Sequence, residues 1–193
     1  MSRTDVCAAC YRARVGTRED LLEAAKQCLA ERGYARTTVR DIVAASGTNL
    51  AAINYHFGTR DKLLQQAMLE SSASAVTQIL DALPASDPAD PTARLEAFWH
   101  SLITSFVENA PLWHANAECL NQALHSPELR TELAHAQGRA RSGLTEAFGN
   151  GDSNVGAILQ TMIGGLLLQW LIDPDNAPTA AELTAGARAM IRA

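Results

Sequence analysis

Apolar residues recur along most of the chain at the three-to-four spacing of an amphipathic helix, and strand-like alternation is almost nowhere found. Leu21, Leu22, Ala25, Cys28 and Leu29 form the first stripe. Thr17 precedes it, with Asp20 at the third helical position as in a capping box, and Gly33 follows as a stop. Thr38 and Asp41 repeat the device ahead of Val39, Ile42 and Val43, and Gly47 ends this second helix after about two turns. Asn49 caps a third helix through Ile53 and Phe57, and Thr59 caps a fourth from 60 to about 83. Residues 84–91 carry three prolines and read as a loop. Five more helices are expected beyond it. Asp90-Pro91 opens one holding Leu95, Phe98, Trp99, Leu102, Ile103 and Phe106, and Pro111 opens the next, to about 125. Ser126-Pro127-Glu128 opens another to about 148, and Gly149-Asn150-Gly151-Asp152 is a turn. The most apolar helix follows over 153–173, closed by Pro174, and Thr179 with Glu182 starts the last. The pattern predicts an all-α chain of about nine helices.

Composition adds a polarity. The formal charge of the 193 residues is −5, but residues 1–62 carry 10 Lys/Arg against 7 Asp/Glu, and residues 63–193 carry 6 against 14. A basic end on an acidic body suits two tasks in one chain, with nucleic acid a natural partner for the basic end. Four cysteines in such a chain do not make a disulfide scaffold. The start of the sequence lacks the apolar centre of a signal peptide. The apolar stretch 162–172 reads as too short to span a membrane and contains Gln169. A cytoplasmic protein is expected, with no cofactor and no metal.

Two short helices joined at Gly47 fit a helix-turn-helix, in which the first helix braces a second that lies in the DNA major groove. Ile42, Val43, Ile53 and Phe57 supply the inner faces; Thr48, Asn49, Ala51, Ala52, Asn54 and Tyr55 supply a small, polar outer face. Here the chain resembles the TetR family of bacterial transcriptional regulators. The residues that carry the likeness are Thr17-Arg-Glu-Asp-Leu-Leu-Glu-Ala-Ala25, Glu31-Arg-Gly-Tyr34, Thr37-Thr-Val-Arg-Asp-Ile42, Ala45-Ser-Gly-Thr-Asn49, Ile53-Asn-Tyr-His-Phe57 and Thr59-Arg-Asp-Lys-Leu63. Val43 stands where the family usually has alanine, and Asn54 replaces a frequent tyrosine.

The resemblance implies roles. Thr37 and Thr38 would hold a phosphate at the start of the second helix. Thr48, Asn49, Leu50 and Ala51 would read base edges, with Asn54 suited to pair with adenine. Tyr55, His56 and Arg60 would reach the backbone. The implied organisation is a flexible tail over 1–16, a DNA-binding domain over 17–63, and a ligand-binding and dimerisation domain over 64–193. The segment Gly164-Gly-Leu-Leu-Leu-Gln-Trp-Leu-Ile-Asp-Pro174 is similar to the penultimate helix through which such proteins pair. The expected dimer face comprises Ile158, Met162, Gly165, Leu166 and Gln169, with Leu183 and Met190 from the last helix. A small-molecule pocket is expected from Trp99, His100, Phe106, Trp113, His114, Glu118, Asn121, Gln122 and Trp170, an apolar and aromatic set with a few polar groups. For Trp99, Phe106 and Trp170 the alternative is plain core, and for His114 and Glu118 a simple i,i+4 pair.

The expected protein is a homodimeric repressor of transcription, released from a palindromic operator by an unidentified small molecule, and not an enzyme. Two other readings stand beside it. Cys7-Ala-Ala-Cys10 has the spacing of a redox or metal motif. Glu132-Leu-Ala-His135 has the carboxylate–histidine spacing of a di-iron bundle enzyme, but without the second copy such a centre needs. Arg3, Arg12 and Arg14 offer a further contact as a minor-groove arm.

Overall fold

A computed structural model describes the backbone of residues 3–84 and 92–192 and the side chains of 17–84 and 92–190. The described residues form nine helices and no strand. They are α1 (Arg3–Arg32), α2 (Val39–Ser46), α3 (Leu50–Phe57), α4 (Arg60–Asp81), α5 (Ala93–Glu108), α6 (Ala110–Ala123), α7 (Pro127–Phe148), α8 (Ser153–Ile172) and α9 (Ala180–Arg192).

The capping signals act where the spacing places them. Thr38 and Asp41 make a reciprocal capping box, and Gly47 ends α2 at φ 65°. Asn49 accepts from the Ala52 N–H at 3.0 Å, Thr59 from Lys62 at 3.1 Å and Ser126 from Leu129 at 3.3 Å. Thr179 and Glu182 close a second reciprocal box. Two starts differ from the sequence reading. α1 begins at Arg3, so Thr17 lies inside it and the helix covers most of the expected flexible tail. Residues 4–15 contain alanines and long side chains and neither glycine nor proline, so nothing local stops the helix. α5 begins at Ala93, after Thr92; the expected opening Asp90-Pro91 and nearly all of the 84–91 loop lie outside the described residues.

The chain divides into two compact units, 1–71 and 72–193, with the division inside α4. In the first, Leu21, Leu29, Ile42, Ile53, Leu63, Leu64 and Met68 are almost wholly buried. Each such side chain contributes about 2 kcal/mol by leaving water. In the second, Phe98, Trp99, Leu102, Phe106, Trp113, Leu144, Leu159, Leu166 and Leu167 form one core, lined further by Val76, Ile79 and Leu80 from the far half of α4. Gly156 lets α7 and α8 meet closely: a Cβ there would lie 2.5 Å from the Arg141 carbonyl oxygen.

One sequence expectation about α8 is corrected. Its 20 residues are long and apolar enough, by length and composition, to cross a membrane, the only such helix among the described residues. The 162–172 stretch read as too short because the helix extends upstream through Val155, Ala157, Ile158 and Leu159. It is also tied to α7 at the surface: Gln160 accepts from Arg141 Nε at 3.0 Å and donates to the Gln137 carbonyl at 3.0 Å.

Candidate nucleic-acid interface and effector core

The first unit presents α3 by burying one face and exposing the other. Ile53 (0 % exposed) and Phe57 (8 %) anchor it, while Leu50 (54 %) and Tyr55 (65 %) stand out with the exposed Ala51 and Asn54. Tyr55 packs edge-on against the half-buried His56, ring centroids 4.9 Å apart. The turn before α3 is held by a 2.7 Å bond between the Ser46 and Thr48 hydroxyls. Thr48 and Asn49 thus brace the turn and cap the helix that presents the outer face.

Two residues expected at phosphate are committed to the fold. Thr37 is 1 % exposed, and its hydroxyl donates to the carbonyls of Gly33 (2.8 Å) and Cys28 (3.1 Å). It closes the end of α1 and is corrected from phosphate contact to structural lock. Thr38, one residue on, is exposed, but its N–H and hydroxyl both donate to the Asp41 carboxylate, at 2.8 and 2.7 Å. Arg60 donates through Nε to the Thr37 carbonyl at 2.8 Å and through Nη2 to those of Tyr34 (2.8 Å) and Thr37 (2.5 Å). Its guanidinium lies 5.5 Å from the Tyr34 ring centroid and pairs with Asp61 at 2.6 Å. The planar fork therefore pins the start of α4 to the α1–α2 turn, a geometry lysine cannot supply.

Further ties were not visible in the sequence. Arg18 donates to Gln66 at 3.0 Å and its guanidinium lies 5.1 Å from the Phe57 ring centroid. Lys26 pairs with Glu70 at 3.1 Å. These contacts join α1 to the near half of α4 and α3. The sequence reading also passed over Arg36 and Arg40, exposed cations beside the start of α2; their charge was the available signal. Thr38 holds the Asp41 carboxyl below its usual range by hydrogen bonding, and Arg32 at 2.6 Å adds to this.

In the second unit the expected pocket residues separate. Trp99 (0 % exposed), Phe106 (5 %) and Trp113 (3 %) enter one core, and Trp170 packs against it. His100, His114, Glu118 and Asn121 are exposed and Gln122 is half-buried, which removes the expected polar lining from the core. The reason lies in helical phase. α6 buries the small residues Ala115, Cys119 and Ala123 along with Trp113, so its polar residues turn outward. Burial pushes the Cys119 thiol up to about 11, leaving it protonated at neutral pH. Asn116, not anticipated, donates to Ser72 at 3.1 Å and links α6 to the far half of α4.

Of the expected dimer face, Ile158 (59 %) and Met190 (70 %) are exposed, as are Gly165 and Gln169, while Met162 and Leu183 are half-buried. Leu166 is 2 % exposed and belongs to the core, because it follows Leu159 by seven residues on the face packed inward. Leu168 (49 %) and Ile172 (81 %) extend the uncovered face. Met162, Leu183 and Met190, with Pro178 and Ala187, line an open groove of about 470 Å³. Cys7 and Cys10 fall in α1, but their side chains, and those of Arg3, Arg12 and Arg14, lie outside the described residues. Glu132 and His135 are exposed, and the described residues hold no cluster of three His, Cys, Asp or Glu fit for a metal.

Comparison with known proteins agrees with the geometry. Residues 21–67 match the family described as bacterial regulatory proteins, tetR family. Residues 91–193 match the C-terminal part of BetI-type transcriptional repressors. The HTH-type transcriptional regulator TtgR of Pseudomonas putida is 26% identical over 179 residues, covering 83% of this chain and 82% of TtgR. The transcriptional regulator SCO7518 of Streptomyces coelicolor A3(2) superposes with a TM-score of 0.66 at 26% identity, covering 91% of this chain and 97% of that one. The multidrug binding protein EbrR, solved with proflavin, has the same fold, with a TM-score of 0.65, 23% identity and coverage of 88% and 96%. The chain belongs to the TetR family of bacterial regulatory proteins and is a DNA-binding transcriptional regulator, not an enzyme.

Proposed function

We propose that the chain works in the cytoplasm as a homodimeric repressor that a small molecule releases from a roughly palindromic operator. Residues 17–63 carry the DNA-reading head and residues 64–193 the effector and dimer functions. The observation that carries this reading is the split of α3: Ile53 and Phe57 are locked inward, and Leu50, Ala51, Asn54 and Tyr55 point out together. Asn54 reads a base edge, and Tyr55, His56, Arg36 and Arg40 meet the backbone. Thr48 and Asn49 shape the turn, while Thr37 and Arg60 hold the head together.

Pairing is supported by α8 and α9. An apolar face with Ile158, Leu168 and Ile172 uncovered, beside a groove ending at Met190, favours a partner of the same apolar kind. A Cβ at Gly164 or Gly165 would meet nothing within 4 Å in the single chain, which leaves room for a second backbone to approach. The likeness to TtgR and EbrR supports an effector in the second unit. A gel shift with DNA selected from random sequence tests the proposal. A salt-sensitive, sequence-specific complex is expected, and its absence across selected sites would reject it.

A further inference from the structure

The outward face of α3 is one-sided in its chemistry. Of the two polar side chains at its head, Thr48 shares a 2.7 Å hydrogen bond with Ser46, and Asn49 Oδ1 accepts from the Ala52 N–H at 3.0 Å. The side chains left to lead the helix are Leu50, 54 % exposed, and the exposed Ala51. Neither can form a hydrogen bond. Asn54 follows Leu50 by four residues and Tyr55 follows Ala51 by four, so each apolar residue heads a row that ends in a polar one. From Thr48 to Tyr55 the chain holds no Arg, Lys, Asp, Glu or Gln. A half-exposed leucine is common on a protein surface and means little by itself. Leu50 stands instead on the first turn of the helix that follows the helix-turn-helix turn, where a recognition helix meets base edges.

Each base pair shows the major groove a distinct set of groups. Guanine is read by the donors of Arg or Lys and cytosine by a carboxylate, and residues 48–55 carry neither. Adenine suits the amide of Asn54. The remaining signature is the C5-methyl of thymine, the one methyl group that base edges present there, and an apolar side chain gains by covering it. We infer that Leu50 sets specificity by packing on a thymine methyl, with Ala51 beside it, so that the direct contacts of α3 favour A·T pairs. The inference rests on the DNA-reading role of α3 proposed above. Leu50 is the longer of the two apolar side chains, so the dependence on the methyl follows it rather than Ala51. A phosphate offers such a side chain nothing, which separates Leu50 from the cations Arg36 and Arg40.

The test starts from DNA selected out of random sequence by the full chain. Thymines of the bound motif are replaced one at a time by deoxyuridine, which keeps the base pair and removes only the methyl. Affinity is expected to fall about fourfold at one thymine of each half-site, more than at the others. Exchanging that T·A pair for C·G should weaken binding further, and 5-methylcytosine in place of the cytosine should recover part of the loss. Leu50→Ala should keep the melting temperature, because the side chain is exposed, and should abolish the uracil effect at that position alone. Leu50→Met, which keeps an apolar side chain of similar reach, should retain the effect. The uracil series is read on the unsubstituted protein, so it stands whatever a variant does to folding. The inference is overturned if uracil is tolerated at every thymine, if the constrained positions of the motif hold no thymine, or if the uracil effect survives Leu50→Ala. Each of these results leaves a sequence-specific reader of DNA in place. Enrichment of no motif rejects the DNA-reading role of α3 together with the inference.

Discussion

Arg60 and Asn54 separate two kinds of residue in the head. Arg60, with its side chain 26% exposed, spends its guanidinium on carbonyls and on Asp61, so Arg60→Ala should cost about 2 kcal/mol of stability. Arg60→Lys should recover little, because one ammonium cannot bridge two carbonyls and a ring. Urea unfolding of both variants checks this. Asn54→Ala should leave the midpoint unchanged and weaken binding to selected DNA roughly tenfold. The two sites look alike in sequence, as polar residues at family contact positions. What distinguishes them is tertiary: the carbonyls of Tyr34 and Thr37 meet Arg60 only once α1, the turn and α4 have packed. The same holds for Thr37, whose acceptors lie four and nine residues upstream. Thr38 was legible as a cap because its partner Asp41 is three residues away.

Helix boundaries followed local chemistry closely, and helix faces did so only where large side chains mark them. α5 shows its core stripe as Phe98, Trp99, Leu102 and Phe106, which turns His100 outward. α6 buries alanine and cysteine, a stripe too faint to orient His114 and Glu118 from sequence. The capping box on α2 carries a pH signature. Hydrogen bonds from Thr38 lower the Asp41 carboxyl, so its stabilising effect is complete above its unfolded value near 3.8 and fades as pH falls through the lower folded value. The stability advantage of the parent over Asp41→Asn should therefore be present at pH 6 and shrink below about pH 4, as read by thermal melts across pH. On α8 two glycines should diverge. Gly156→Ala, crowded by Thr145 and the Arg141 carbonyl, should lower the melting temperature. Gly165→Leu meets open space in the single chain and should preserve helicity while shifting the mass in solution toward the monomer, measured by light scattering.

At the scale of the molecule, the charge of −5 argues against a nucleic-acid partner until its distribution is considered. The acidic excess begins after residue 62, beyond the helices that carry the reading face. Two of the acids before it have local roles: Asp41 is engaged by Thr38 and Arg32, and Asp61 by Arg60. The apolar length of α8 likewise finds its explanation at this scale, as a helix with one face in its own core and, on the proposed reading, another for a second copy. The central claim is a paired reader of DNA, and it is tested most directly by selecting bound sequences from random DNA with the full chain and weighing the complex. The expected result is one palindromic motif with half-sites about one helical turn apart, an even number of chains per site, and loss of enrichment with Asn54→Ala combined with Tyr55→Ala. Enrichment of no motif, or of a motif without symmetry bound by a single chain, would contradict it.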